Sequence, residues 1–159
     1  FLKKKFHNLK YKRLNKLNLH TPMISSHSAT IAKILSIRNI LKKYQKNFVK
    51  MNKRCVLEGR DASTKILPSS DVKFYFICSL NIAAKRRYSD LKNSNSKLKL
   101  QEVKKALKLR NILDTKRKHS PLKKHKNAVV VNTGKLDKKT MLTKMSKHVE
   151  QVLKTKYGN

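Results

Sequence analysis

Glycine is scarce in this chain. Only Gly59, Gly134 and Gly158 occur in 159 residues, and none belongs to a Gly-x-x-x-x-Gly-Lys-Ser/Thr run. The backbone cradle that such a run builds for nucleotide phosphates, with its lysine and its Mg²⁺-binding hydroxyl, is not encoded in these residues. Cysteine is nearly as scarce. Cys55 and Cys78 lie in apolar runs, which excludes a disulfide framework. They read as small buried hydrophobes of a reducing compartment, the cytoplasm. The six histidines show no metal-ligand spacing with each other or with the cysteines, so no metal site is expected. No apolar stretch approaches the roughly 20 residues that cross a bilayer, and no membrane partner is expected. The chain opens Phe-Leu-Lys-Lys-Lys, without Met and without a following apolar core. That is not a secretory signal, and it reads as the interior of a longer chain. There is no internal repeat.

Acids are few as well: eight Asp and Glu stand against 41 Lys and Arg, a formal net charge of +33. Such a balance invites a nucleic-acid reading, since clustered cations neutralise phosphates and release counterions. It also raises the prospect of disorder. A plainer origin competes: lysine greatly outnumbers arginine, and Asn and Ile are plentiful, which is how A- and T-rich coding shapes a surface. The chain also lacks aromatic interleaving, zinc spacing and a recognition-helix motif, so no specific nucleic-acid partner is expected.

Hydrophobic content of 38% supports a modest core, and 159 residues suit one domain or one with a small appendage. Residues 1–20 are basic and weakly patterned. Thr21-Pro22 marks a turn or a helix start. Ile31, Ile34, Leu35, Ile37, Leu41, Tyr44 and Phe48 recur at spacings of three and four, which predicts one helix from Ser25 to about Phe48. The apolar run at Arg54–Leu57 predicts a buried strand that ends in the loop Glu58-Gly59-Arg60-Asp61. Val72–Cys78 predicts the clearest strand, and Ser79 caps a helix from Leu80 to Leu91. A polar loop at 92–97 leads to a helix from Leu100 to about Lys118, then a short strand at Ala128–Val131. An amphipathic helix follows over Leu136–Leu153, with Met141, Met145, Val149 and Val152 on one stripe. Strands alternating with long helices predict an α/β fold with a parallel sheet, whose sites gather beyond the C-terminal strand ends.

Eight of the 41 basic residues are arginine, and six of them are Arg38, Arg60, Arg86, Arg87, Arg110 and Arg117. In a lysine-biased chain a retained arginine suggests a need for the planar fork that grips phosphate or carboxylate in two places. On the third helix, Val103, Leu107, Arg110, Asp114 and Arg117 fall at spacings of 4, 3, 4 and 3 and share one face. Two readings stay open there. One is a surface salt-bridge ladder contributing a few tenths of a kcal/mol per pair. The other is a pair of arginines gripping phosphate, with an acid between them for a hydroxyl. Asp61 is either a turn former after Gly59 or a site residue at a strand end.

The order of these pieces resembles bacterial cytidylate kinase from about Leu19 to the last helix. The pieces are His20-Thr21-Pro22-Met23-Ile24-Ser25; Ile31-Ala32 and Ile37-Arg38; Leu57-Glu58-Gly59-Arg60-Asp61 with Ser63-Thr64 and Pro68; Asp71-Val72-Lys73-Phe74; Ala84-Lys85-Arg86-Arg87-Tyr88; Arg110, Asp114 and Arg117; and Ser120-Pro121-Leu122. The resemblance implies a P-loop nucleoside-monophosphate-kinase fold, with a parallel sheet flanked by helices and without the N-terminal strand and P-loop in these residues. It implies that residues 1–50 complete a helical CMP-binding domain and that 51–159 form the core, with a lid segment at about 86–118. It implies ATP and Mg²⁺ held mostly upstream, nucleotide partners, a monomer, and phosphoryl transfer from ATP to CMP or dCMP. Arg38 and Arg60 would approach the CMP phosphate and Asp61 the cytosine. Arg110 and Asp114 would hold the acceptor nucleotide, with Asp114 on its sugar hydroxyls. Arg86, Arg87 and Arg117 would steady the transferring group in catalysis. The chain departs from the family pattern at His20, Met23, Ala29 (beside Ser28), Ser63, Asn111, Leu113 and Asn132. Without a phosphate loop, these residues alone are expected to lack kinase activity. Two other readings are a basic nucleic-acid-binding protein and a degenerate, non-catalytic relative.

Overall fold

The structure is a computed structural model that describes residues 19, 21–52, 54–92 and 98–158. The expectations for residues 1–18, for His20 and for the loop at 93–97 lie outside them.

Helix α1 spans Pro22–Ile31. Thr21 caps it, its Oγ1 accepting from the Ile24 amide at 3.2 Å, and Pro22 supplies a preset φ at the first position. Helix α2 spans Leu35–Met51. One helix was expected across this stretch, and there are two. At the junction the Lys33 and Ile34 amides donate to Thr30 O and Ile31 O, tightening the end of α1, and Ile34 then turns extended. The Arg38 guanidinium donates to the Ala32 carbonyl at 3.3 Å, which satisfies an oxygen freed by the break.

The segment 54–61 is not a buried strand. Val56 is 97% exposed, and among the described residues no backbone ladder pairs with this segment. Apolar side chains alone do not make a strand, because the backbone also needs a partner for its amides and carbonyls. The chain next forms one wide turn at Ala62–Ile66, in which the Asp61 carbonyl accepts from the amides of Thr64, Lys65 and Ile66. Ile66 is buried there, and the turn lies against α2.

Strand β1 (Phe74–Ile77) pairs in parallel with β2 (Val129–Asn132), with Phe74 opposite Val129 and Ile77 opposite Asn132. The α/β layout with parallel strands is the one expected. Between the strands run α3 (Leu80–Lys92) and α4 (Leu100–Lys116), which pack on each other; α1 packs on α4. Ser79 Oγ accepts from the Ile82 amide and caps α3, as expected. At the start of α4, Glu102 reaches back to the Lys99 amide at 3.2 Å. Helix α5 (Lys138–Tyr157) starts on Asp137, whose carboxylate accepts from the Thr140 amide and hydroxyl. It ends on Gly158 at φ 69°, a left-handed position that glycine takes without strain. The His148 ring of α5 meets the Phe74 ring of β1 edge-on at 5.7 Å. Among the described residues the buried side chains are Ala29, Ile66, Ala84, Leu91, Val103, Asp114 and Val131, most of them between α1, α3, α4 and β2.

The cysteines differ from expectation. Both are free, but Cys55 is half-buried and Cys78 is exposed just past β1. The neighbouring Phe76, Ile77, Val129 and Val130 are exposed too, so among the described residues nothing covers that part of the sheet.

Candidate functional site

Three parts of the chain bring charge to one place. Helix α2 supplies Arg38 in its first turn. The loop before the wide turn supplies Arg60 and Asp61. Helix α4 supplies Arg110 and Asp114, and Arg117 closes its C-terminus. Arg38 is paired with Asp61. Asp114 faces three guanidiniums: Arg117 Nη1 is 3.2 Å from Oδ1, while Arg60 Nε and Arg110 Nε are 3.2 and 3.8 Å from Oδ2. Arg117 Nη2, 3.9 Å from Asp61 Oδ1, joins the two aspartates into one network.

The Asp114 side chain is 5% exposed and that of Arg117 4%, so this is not a surface salt-bridge ladder. Arg60 is 39% exposed and opens the cluster to solvent on one side. Two buried atoms in the cluster have no aligned hydrogen-bond partner, the acceptor Asp114 Oδ2 and the donor Arg117 Nη2. Four guanidiniums against two carboxylates leave two positive charges in excess. Burial pushes the Arg110 guanidinium below its ordinary pKa; Arg60 adds repulsion, Asp114 opposes it, and Arg87 pushes slightly further. Arg117 is lowered likewise, first by burial and then by Arg38, against the pull of Asp114 and Asp61. Such a cluster is crowded with like charge in a poorly solvated place, and a bound anion would relieve it.

The loop after α4 is part of the same construction. The Leu122 amide donates to the Asp114 carbonyl at 2.8 Å. Arg117 Nε donates to the Ser120 carbonyl at 2.6 Å and holds Ser120 at φ 52°. That left-handed conformation costs a side-chain-bearing residue roughly 1–2 kcal/mol.

The structure therefore brings together Arg38, Arg60, Asp61, Arg110, Asp114 and Arg117. Arg117, expected on one face with Arg110 and Asp114, lies against Asp114 and reaches Asp61 as well, away from Arg86, with which the resemblance groups it in catalysis. Arg87 lines a cavity of about 100 Å³ between α1, α3 and α4, together with Arg110, Ala29, Leu91 and Val103. Arg86 is placed elsewhere: it donates to the Thr133 carbonyl at 2.7 Å and to its hydroxyl at 3.3 Å, at the end of β2. The pairing of Arg38 with Asp61 had no signal in helical spacing, because the partners are 23 positions apart. The same holds for Lys156 with Asp71, which ties the end of α5 to the turn before β1. No group of three His, Cys, Asp or Glu side chains arranged to hold a metal ion occurs among the described residues. No helix among them is long and apolar enough to cross a membrane.

Comparison with known proteins gives the frame for this cluster. The sequence model of the family described as cytidylate kinase matches residues 3–151. A curated cytidylate kinase of Thermosipho melanesiensis is 35% identical over 136 residues, covering 86% of this chain and 62% of the relative. One from Caldanaerobacter subterraneus subsp. tengcongensis is 34% identical over 127 residues, covering 80% and 56%. One from Bartonella henselae is 31% identical over 148 residues, covering 93% and 69%. The chain thus spans less than two thirds of the length of the first two relatives. With a family model matched over nearly its whole length, the chain belongs to the cytidylate kinase family.

Proposed function

We propose that the arginine–aspartate cluster binds the acceptor nucleotide of a phosphoryl transfer from ATP to CMP or dCMP. The observation that carries this reading is the excess of two positive charges around a buried acceptor and a buried donor that have ion-pair neighbours but no aligned hydrogen bond. A nucleoside monophosphate offers both complements. Its phosphate oxygens accept from Arg117 Nη2 and from the exposed edges of Arg60 and Arg110. A sugar hydroxyl donates to Asp114 Oδ2. Asp61, held between Arg38 and Arg117, has carboxylate capacity left for the exocyclic amine of cytosine.

These residues act by binding and orientation. Phosphoryl transfer needs in-line positioning and charge stabilisation rather than covalent help from the protein. Arg60, Arg110 and Arg117 fix the acceptor phosphate, Arg38 holds Asp61 and approaches the same phosphate, and Arg86 and Arg87 on α3, with Arg117, steady the transferring group. In the same reading, residues up to about 50 form the acceptor-binding part, and the segment 86–118 moves as a lid that excludes water. ATP and Mg²⁺ are held mostly by residues other than these 159, which contain no phosphate-loop motif. The chain alone then binds CMP without turning over ATP.

Calorimetric titration at a constant ionic strength of about 0.15 M tests the reading. CMP should bind, cytidine should bind at least about tenfold more weakly, and Arg110→Met should lower CMP affinity by about tenfold or more. Equal affinity for CMP and cytidine would contradict the reading. ATP consumption that depends on CMP, by these residues alone, would overturn the part that sends ATP elsewhere.

A further inference from the structure

The acids that balance the cluster stop at Asp114, and the next one is Asp137. Between Asp114 and β2 run Lys116, at the end of α4, and Lys118, Lys123, Lys124 and Lys126, all exposed and none in an ion pair among the described residues. The segment leaves α4 at Arg117 and reaches β2 without regular structure over most of its length. It is nevertheless fixed, by Leu122 N on Asp114 O and Arg117 Nε on Ser120 O. A fixed strap holds its lysines in place, so a partner does not have to order the backbone.

We propose that this strap is a docking track for the phosphates of single-stranded nucleic acid, a binding activity separate from that of the arginine cluster. The chemistry favours a nucleic-acid strand over a lipid surface. Exposed large apolar side chains occur at Ile112 and again at Val129 but nowhere between, so the strap has nothing to insert into a bilayer. It carries no Phe, Tyr or Trp either, and only the rings of His119 and His125 could meet a base, so binding is blind to sequence. Lysine, a compact point charge on a flexible stem, suits a track of phosphates that need no fixed bidentate geometry.

The test is fluorescence anisotropy of the whole chain with a labelled oligo-dT of about 20 nucleotides across a salt series. Each phosphate contact adds about 0.7 to the salt slope, roughly fourfold in affinity near 0.15 M salt. Replacing the five strap lysines by Gln should therefore lower the slope by about 3.5 and affinity by more than about 100-fold. The control replaces five exposed lysines of α5, Lys138, Lys139, Lys144, Lys147 and Lys154, by Gln, with the same change in net charge. It should lose less than about a tenth as much affinity. Circular dichroism should be unchanged in both variants. Equal losses in the two variants would show that affinity follows total charge, as a compositional surplus of lysine would give. That result, or undiminished binding by the strap variant, or no binding by the unaltered chain, overturns the proposal.

Discussion

Asp114→Asn is the sharpest perturbation of this structure. Asn can keep an oxygen toward Arg117 Nη1, now 3.2 Å from Oδ1. Its amide nitrogen then replaces Oδ2 and faces Arg60 Nε and Arg110 Nε, donors against a donor. Four guanidiniums are left with Asp61 as their only counter-charge. Removing one partner of a buried ion pair costs about 3–5 kcal/mol, and retention of the Arg117 contact places this variant near the lower figure. Against a domain stability of about 5–15 kcal/mol, that is a large loss. Urea unfolding followed by far-ultraviolet circular dichroism, at fixed ionic strength, should show a lower midpoint with an unchanged slope. Phosphate should then stabilise the variant more than the unaltered chain, because its site carries one more uncompensated positive charge and ligands stabilise the state they bind. A loss below about 1 kcal/mol would refute the reasoning, since that is what a screened surface pair contributes.

Val103, 2% exposed on α4 and in the lining of the cavity, should cost about 2 kcal/mol as Val103→Ala in the same assay, with CMP affinity unchanged. Arg86→Met removes the link from α3 to Thr133 and should lower the thermal midpoint slightly while CMP affinity stays constant, because Arg86 lies outside the cluster. The Lys156 ammonium holds the Asp71 carboxyl below its ordinary value, and Asp71 raises that of Lys156. The Asp71 contribution is therefore full above the unfolded value near pH 4 and is lost as pH falls through the lower folded value; that of Lys156 is full below about pH 10 and is lost as pH rises through the higher folded value. Lys156→Met should remove both limbs from a plot of stability against pH.

The helices and both strands were legible because periodicity and caps agreed with burial. Ser79 and the aromatic β1 run are local signals with local consequences. The break between α1 and α2 was not legible: the apolar spacing runs through Ile31, Ile34 and Ile37, and neither Gly nor Pro interrupts it. The break is bridged by the Arg38 contact with Ala32 O, between residues six apart and therefore outside the three-and-four spacing. The segment around Val56 shows the opposite failure, since hydropathy reports an apolar run but says nothing of the strand that must pair with it. At the site, helical spacing put Arg110, Asp114 and Arg117 on one face, and the burial of Asp114 and Arg117 then separated a buried cluster from a surface ladder. Nothing in spacing joined Asp61 to Arg38 or Arg117. That link depends on the loop 58–61 folding back over α2 and α4.

The most direct test of a nucleotide cluster is nuclear magnetic resonance of the arginine Nε–H groups during titration with CMP and, separately, with cytidine. CMP should shift the signals of Arg38, Arg60, Arg110 and Arg117 together and leave Arg54 and Arg86 in place, and cytidine should do far less. Shifts spread evenly over all arginines, or none in those four, would contradict the account.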